Sequence, residues 1–488
     1  RIPVYYTPDG EHTAAGSEAE ARKKLNVDDT VSLRQDNDVL DTWFSSWLWP
    51  MTTMGYDGTP TAGAELRKYY LPTDLLVTGP DIIFFWVARM IMATLKFDGR
   101  IPFKNVYFTS IIRDSKGRKL SKSLGNSPDP LDVIARYGAD AVRFTMIYLA
   151  PLGTDVRLDV DEKTQDVPSM ELGRNFANKI WNVARFLQMK GSPNSSLSAA
   201  LLSADEASIA DRWITSRYNS TIRAANEALE QFRITEYARI LHEFVWRDFC
   251  DWYVEIFKVQ FNNAGSDGER DVLLRRVYDI VEGMLKLLHP VMPFVTEELW
   301  HGLFAKPPEQ SIGLSKRLVA NASEIDGVVE EQFELLQALV EGIRRQRAEL
   351  KIAPGVKIPI HFSAESGLVD FLVSQQQIVA SLCRASEVVV GTGLTKPEGA
   401  VADVVRGVEV YLIVEGTVDV AKERERLSKE IERLRSLVSG VSGKLANEGF
   451  VAKAKPEVVE AERKKLNDWT QTIETLQRNM DAMASQPS

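Results

Sequence analysis

Asp74 to Leu95, DLLVTGPDIIFFWVARMIMATL, constrains this chain more than any other stretch. Apolar Leu75-Leu76-Val77 reads as a strand, Thr78-Gly79-Pro80-Asp81 as a turn, and the rest as an apolar helix, which together form one unit of a parallel α/β sheet. Val106 to Ile112, VYFTSII, is predicted to be a second strand that runs directly into the next loop. A turn after such a strand lies at the carboxyl edge of the sheet, where open parallel sheets bind ligands. Asp81 in that turn can accept hydrogen bonds from sugar hydroxyls, or it can simply favour the positive end of the helix dipole. Ile82 and Trp86, four apart, are expected on one helix face beside the turn.

The loop that follows, Arg113 to Asn126, reads RDSKGRKLSKSLGN. Gly117 and Gly125 bracket Lys119 and Lys122, so the segment can take positive φ at both ends and move as a lid. Two compact ammonium charges three residues apart can converge on one polyphosphate, with Ser121 and Ser123 offering hydroxyl donors. The same composition suits a solvated surface turn.

Composition sets limits. A chain of 488 residues exceeds one core and suggests about three units. Hydrophobic content of 44% and charged content of 26% are ordinary for soluble protein, and the greasiest run, Ile82 to Leu95, is short and carries Arg89, so no membrane span is expected. Cys250 and Cys383 provide neither a disulfide framework nor a cysteine metal site, which suits a reducing cytoplasm; no structural zinc is expected. The chain starts at Arg1 with strand-like residues under way, and it reads as a segment of something longer.

Elsewhere the pattern changes three times. Asp36 to Pro50, DNDVLDTWFSSWLWP, is dense in tryptophan, and each ring alone would suit a core. From Met170 to about Leu350 apolar residues recur at helix spacing, as in Phe176, Ile180, Val183 and in Val277, Val281, Leu285, Leu288. Trp181, Trp246, Trp252 and Trp300 are expected in that bundle's core, and His289 at a helix end. Val356 to Val414 holds the strand candidates VKIPIHF, EVVV and VEVYLIV around a helical stretch, Val369 to Ala380. Beyond it Leu427, Ile431, Leu434, Val438, Val441 and Leu445 alternate four and three apart, and a second such series runs from Val459 to Met483. Two helices folding back as an antiparallel coiled coil are predicted, the first of about 27 residues and so ~40 Å long.

KLSKS, Lys119 to Ser123, resembles the KMSKS loop of class I aminoacyl-tRNA synthetases, and the match continues through SLGN and DPLDVIARYGADAVRF. DVLDTWFSS, DIIFFWVARMIM, RNFANKIWNVARF, LLHPVMPFVTEELW and KLANEGFVAKAKPEVVEAER narrow the likeness to the valyl-tRNA synthetase family. The fold class this implies is multidomain, α/β plus all-α. Residues 1–35 would be the return segment from an inserted editing domain, and 36–125 the second half of a Rossmann-like catalytic domain with its KMSKS-like loop. Residues 126–169 would be a stem-contact connection, 170–350 a helical anticodon-binding domain, 351–416 a small α/β junction, and 417–488 a coiled-coil tRNA-binding arm.

The resemblance implies activation of valine with ATP, Mg2+ accompanying the nucleotide, and transfer to tRNA(Val) by a full-length enzyme expected to be monomeric and cytoplasmic. Lys119 and Lys122 would be catalytic. Gly79, Asp81, Lys119, Ser121, Lys122 and Ser123 would bind ATP, while Trp43, Ile82 and Trp86 would wall the amino-acid pocket. Arg344, Arg345, Arg347, Lys444, Lys453 and Lys455 would meet tRNA. Leu120 stands where the family motif has methionine, a swap of similar volume that costs little, and Pro80 stands where an aromatic is more usual. The family also needs a HIGH motif. The histidines are His12, His242, His289, His301 and His361, and none forms H-x-G-H. A carboxyl-terminal half, inactive alone, is therefore expected. A stand-alone RNA-binding module and an isoleucyl or leucyl relative are the alternatives.

Overall fold

The computed structural model describes residues 1–150, 153–192, 207–414 and 420–446, together with 459, 460, 462–464, 466, 469, 470, 473 and 477. They divide into two units, Arg1–Asn175 with Asn226–Arg239, and Phe176–Ala225 with Ile240–Ser488.

The first unit opens on a small antiparallel sheet of β1 (Val4–Tyr6), β2 (His12–Ala14) and β3 (Arg34–Gln35), in the order β2-β1-β3. Helix Glu18–Leu25 follows β2. Ser17 Oγ accepts the Glu20 amide as the helix cap, and the Glu20 carboxylate reaches one residue beyond the cap to accept the Gly16 amide. Next, β4 (Thr73–Thr78) pairs in parallel with β5 (Phe103–Phe108), joined by a crossover that includes helix Ala88–Phe97. Leu76, Val87, Met90 and Phe103 form the core of this unit of sheet and helix. Leu75 and Val77 on β4 stay exposed, at 36% and 54%.

The expected single strand from Val106 to Ile112 is two strands. β5 ends at Phe108, and β6 (Ile112–Asp114) pairs in parallel with β7 (Val156–Leu158). The chain changes partner between them: the Thr109 amide still donates to the Thr78 carbonyl, and the Ile111 carbonyl already accepts the Val156 amide. Period-2 alternation cannot register such a change, because both strands continue it. Helices Pro130–Tyr137 and Ala139–Tyr148 cover the second ladder through Val133, Tyr137, Ala141, Val156 and Leu158.

The second unit is mostly helical, and includes Val254–Asn263, Asp267–Leu288, Pro293–Phe304 and Gly327–Glu349. Phe176, Ile180, Ala184 and Leu187 are buried as one stripe, so Trp181, next to Ile180, turns outward at 40% exposure. That corrects its assignment to the core. Trp252 and Trp300 are buried, and Trp246 is half-buried beneath the Lys179 ammonium at 5.2 Å. Phe244–Tyr253 winds as a π-helix rather than the α-helix its spacing predicts. His289 caps the end of Asp267–Leu288, as expected.

Tyr253 Oη and Ser208 Oγ donate to the Asp211 carboxylate at 2.9 and 2.7 Å, and Arg276 Nη1 lies 2.8 Å from it; Asp211 is 2% exposed. Truncating one partner strands the other charge in a medium that cannot solvate it. Asp211→Ala is expected to lower stability in urea by about 3–5 kcal/mol, with part recovered when Arg276→Met is added. A loss below about 1 kcal/mol in the single variant would show that water reaches the arginine.

The small α/β part holds β8 (Ile358–Ser363), β9 (Ala385–Gly391), β10 (Ala400–Val405) and β11 (Val408–Ile413), in the order β10-β11-β8-β9. The predicted single helical stretch is two helices, Ser366–Ser374 and Gln376–Cys383. β10 is an addition to the predicted strands. Its signal is Arg406-Gly407, two residues at positive φ between alternating runs, the usual hairpin connection. The long helix Val420–Ala446 spans 27 residues, with Ile431, Leu434 and Val441 buried. Among the described residues no helix is long and apolar enough to cross a membrane, and no group of three His, Cys, Asp or Glu side chains could hold a metal ion.

Candidate functional site

The basic loop is a framed structure. Arg113 and Lys119 form an antiparallel bridge, and the hairpin between them closes through Asp114 amide to Arg118 carbonyl at 3.0 Å and Gly117 amide to Asp114 carbonyl at 2.9 Å. Gly117 and Gly125 have φ of +78° and +65°, as the bracketing glycines predict. Asp114 is 3% exposed and accepts from the Lys116 amide (3.0 Å), the Arg118 amide (2.8 Å), Arg118 Nε (2.7 Å) and Asn126 Nδ2 (3.0 Å). Burial alone would raise its pKa, but the hydrogen bonds from Asn126 and Arg118 prevail and hold it at about 2. Asn126, fully buried, also accepts the Ser121 amide at 2.9 Å and donates to the Lys119 carbonyl at 3.3 Å.

The five cations of the loop are not equivalent. Arg113 pairs with Asp155, Arg118 with Asp114 and Glu162, and Lys116 with Glu162. Lys119 and Lys122 are exposed, and neither forms an ion pair among the described residues. Of the loop's five cations, these two ammonium groups are therefore the ones left, among the described residues, to neutralise an incoming anion. Ser121 Oγ and Ser123 Oγ lie 2.7 Å apart, beside them.

The turn after β4 approaches this loop. Gly79 is extended at φ −79°, and a methyl group there would touch Ile111 Cδ1 at 3.5 Å. Asp81 is exposed, and its charge joins the Asp155 hydrogen bond in raising the Arg113 pKa above its ordinary value. Ile82 and Trp86 are both half-buried while Ile83, Phe84 and Phe85 between them are exposed. The helix type is corrected: Ile82 ends a 3-10 turn, Pro80–Ile82, and Trp86 belongs to a π-helical turn, Ile83–Val87. π-turns of this kind recur at functional sites. Trp86 Nε1 donates to the Ser46 carbonyl at 3.1 Å, and Trp43 stacks on Phe85 at 6.1 Å, so both tryptophans tie the helix Thr42–Ser46 to the π-turn.

Residues 5–159 match the family described as tRNA synthetases class I (I, L, M and V), and residues 211–362 match the anticodon-binding domain of tRNA ligase. Residues 419–484 match the valyl tRNA synthetase tRNA binding arm. The valine–tRNA ligase of Chlorobaculum tepidum is 41% identical over 99% of this chain and 53% of that protein. Along nearly its whole length the chain resembles valyl-tRNA synthetases. A valine–tRNA ligase of Fusobacterium nucleatum is 39% identical over 98% of this chain and 53% of that protein, so the chain spans about half the length of the curated relatives it matches. Among solved structures, an Agrobacterium radiobacter LeuRS–tRNA–LeuAMS complex aligns over 67% of this chain and 41% of that one, at 16% identity and a TM-score of 0.49.

The positions expected to meet tRNA differ in availability. Arg347 is 7% exposed, donates to the Val356 carbonyl at 2.6 Å, and has its pKa pushed down by burial. That corrects its reading as a phosphate contact: it is a buried strut. Arg344 donates to the Leu382 carbonyl at 3.2 Å and Arg345 pairs with Asp403 at 3.2 Å, so the three arginines do not form one free patch. Lys444 is exposed, 3.9 Å from Glu462. Lys453 and Lys455 lie outside the described residues.

Proposed function

We propose that this chain carries the second half of the catalytic site, and the tRNA-binding parts, of an enzyme that joins valine to tRNA(Val) at the expense of ATP. The observation that carries the reading is the pair of lysines, Lys119 and Lys122, on a framed loop whose other cations are already neutralised. In the first step valine's carboxylate attacks the α-phosphorus of ATP and pyrophosphate leaves. Negative charge grows on the leaving group, and fixed ammonium groups stabilise it most where water is excluded. No general base is needed, because the attacking carboxylate is already ionised. Mg2+ would arrive as the nucleotide's own counter-ion.

Gly79 and Asp81 would face the ATP ribose and Ser121 and Ser123 its phosphates, while Trp43, Ile82 and Trp86 would wall the amino-acid pocket. The exposed Leu75 and Val77 on β4 and Ile83, Phe84 and Phe85 on the π-turn support a reading in which further sheet covers this face. Residues 1–35, 36–125, 126–169, 170–350, 351–416 and 417–488 would serve as return segment, catalytic half, stem connection, anticodon-binding domain, junction and arm. An antiparallel coiled coil is supported by Lys444 beside Glu462 and Arg435 beside Gln477, a pairing that runs backward along the second series. The arm holds 13 Lys+Arg against 12 Asp+Glu in a chain of net charge −9, so it is the less acidic part. We place the protein in the cytoplasm.

Removing residues 417–488 is expected to weaken binding of a tRNA(Val) transcript to this chain about tenfold or more, and to flatten its salt dependence by roughly one unit of slope for each phosphate that the arm neutralises. Filter binding at several salt concentrations measures both. Equal affinity and slope with and without the arm would contradict its role.

A further inference from the structure

We infer that Asn126 is a positioning residue: its carboxamide ties the Lys119 carbonyl and the Ser121 amide to the buried Asp114 carboxylate, and so fixes Lys119 and Lys122 as a preformed polyphosphate receptor. This rests on the phosphate-binding reading of those two lysines and adds what holds them in place.

Every polar atom of the Asn126 side chain is committed. Oδ1 accepts from Ser121 at 2.9 Å, and Nδ2 donates to Asp114 at 3.0 Å and to Lys119 at 3.3 Å. The contacts straddle Leu120, so the backbone on both sides of that residue is fixed to a group with no exposed surface. Asp114, the anchor, lies where β6 ends and is held by the hairpin's own amides, which connects the lysines to the sheet rather than to solvent. Beyond Ser121 the segment Lys122–Gly125 is exposed and is held by the Gln165 amide on the Gly125 carbonyl at 2.6 Å. Lysine carries four rotatable bonds, so a receptor built from two of them gains from any fixed backbone between them.

The carboxamide supplies one acceptor and two donors to these three partners, a set that neither alanine nor aspartate reproduces. Alanine leaves the Ser121 amide and one Asp114 lone pair without a partner. Aspartate keeps the acceptor for Ser121 but sets a second carboxylate against Asp114, and repulsion between the two raises the pH at which one of them takes up a proton. The asparagine site needs no such proton.

The test uses the 488-residue chain, inorganic tripolyphosphate as probe, calorimetry for affinity, and amide hydrogen exchange at Ser121 and Arg118 for the frame. Asn126→Ala is expected to weaken tripolyphosphate binding ~10-fold and to speed Ser121 exchange ~10-fold or more. Lys122→Ala is expected to weaken binding similarly with Ser121 exchange unchanged, which separates charge from frame. Asn126→Asp is expected to bind worst at pH 7.5, with its affinity relative to wild type recovering toward pH 5 as the introduced carboxyl takes up a proton. A defect that is merely structural gives no such recovery. Tight wild-type binding that Asn126→Ala leaves intact, or a deficit in Asn126→Asp that does not change with pH, would overturn the positioning role alone. A wild-type chain that does not bind tripolyphosphate would overturn the phosphate reading itself, whatever the exchange data show for Asn126.

Discussion

Lys122→Ala is expected to lower valine-dependent ATP–pyrophosphate exchange by ~10²–10³-fold when this chain is combined with the part of a relative's enzyme that it does not span. Binding of tRNA(Val) should stay within about twofold, because one exposed charge among many phosphate contacts contributes little to affinity. The asymmetry follows from where the charge acts. Lys122 has no carboxylate to neutralise among the described residues, so on the proposed reading its ammonium would be available to the leaving pyrophosphate and most effective as that charge develops. Arg118→Ala makes the contrast. Its guanidinium already serves Asp114 and Glu162, so its loss should act by loosening the hairpin, with slower pyrophosphate exchange accompanied by faster amide exchange at Lys116. Comparable losses of pyrophosphate exchange and tRNA affinity in Lys122→Ala would place the lysine in the tRNA interface instead.

Much of this organisation was legible in the sequence because its signals are local. The strand, turn and helix from Asp74 to Leu95 are set by apolar runs and a Gly-Pro break, and the positive φ of Gly117 and Gly125 by the residue type. The 27-residue helix Val420–Ala446 follows from a heptad alternation that nothing interrupts. What escaped was what depends on partners. The break between β5 and β6 arises because the backbone leaves one ladder for another, and the residues on either side look alike. The π-turn at Ile83–Val87 differs from an α-helix by one hydrogen-bond step, which apolar spacing barely records. Among the arginines near Leu350, sequence position gave no means of telling Arg347, turned inward onto the Val356 carbonyl, from its exposed neighbours.

The candidate site was legible in the same uneven way. Lys119 and Lys122 stood out by composition, but so did Arg113, Lys116 and Arg118, and beyond the local Asp114 it is the placement of Asp155 and Glu162 that separates the two sets. Those acids lie some forty residues away in sequence and arrive with β7 and the turn after it. Asn126 looked like the end of a motif. Its burial against Asp114 makes it the joint on which the loop is hung.

If the chain holds one half of a nucleotide-binding site, as proposed, it should do no chemistry alone. The two lysines can neutralise a triphosphate but cannot by themselves align a carboxylate with its α-phosphorus, and alignment accounts for a large share of the barrier in such transfers. On the proposed reading Lys119, Lys122, Gly79 and Asp81 would meet one ligand, and the β4–β5 ladder that carries Gly79 leaves Leu75 and Val77 exposed. The deciding measurement is valine-dependent ATP–pyrophosphate exchange by the purified 488-residue chain, alone and then titrated with the part of a relative's valine–tRNA ligase that it does not match. The expected result is exchange at the level of the valine-free control for the chain alone, rising with the added part and saturating near one equivalent. Robust exchange by the chain alone, or none at any ratio when both parts are folded, would contradict the account.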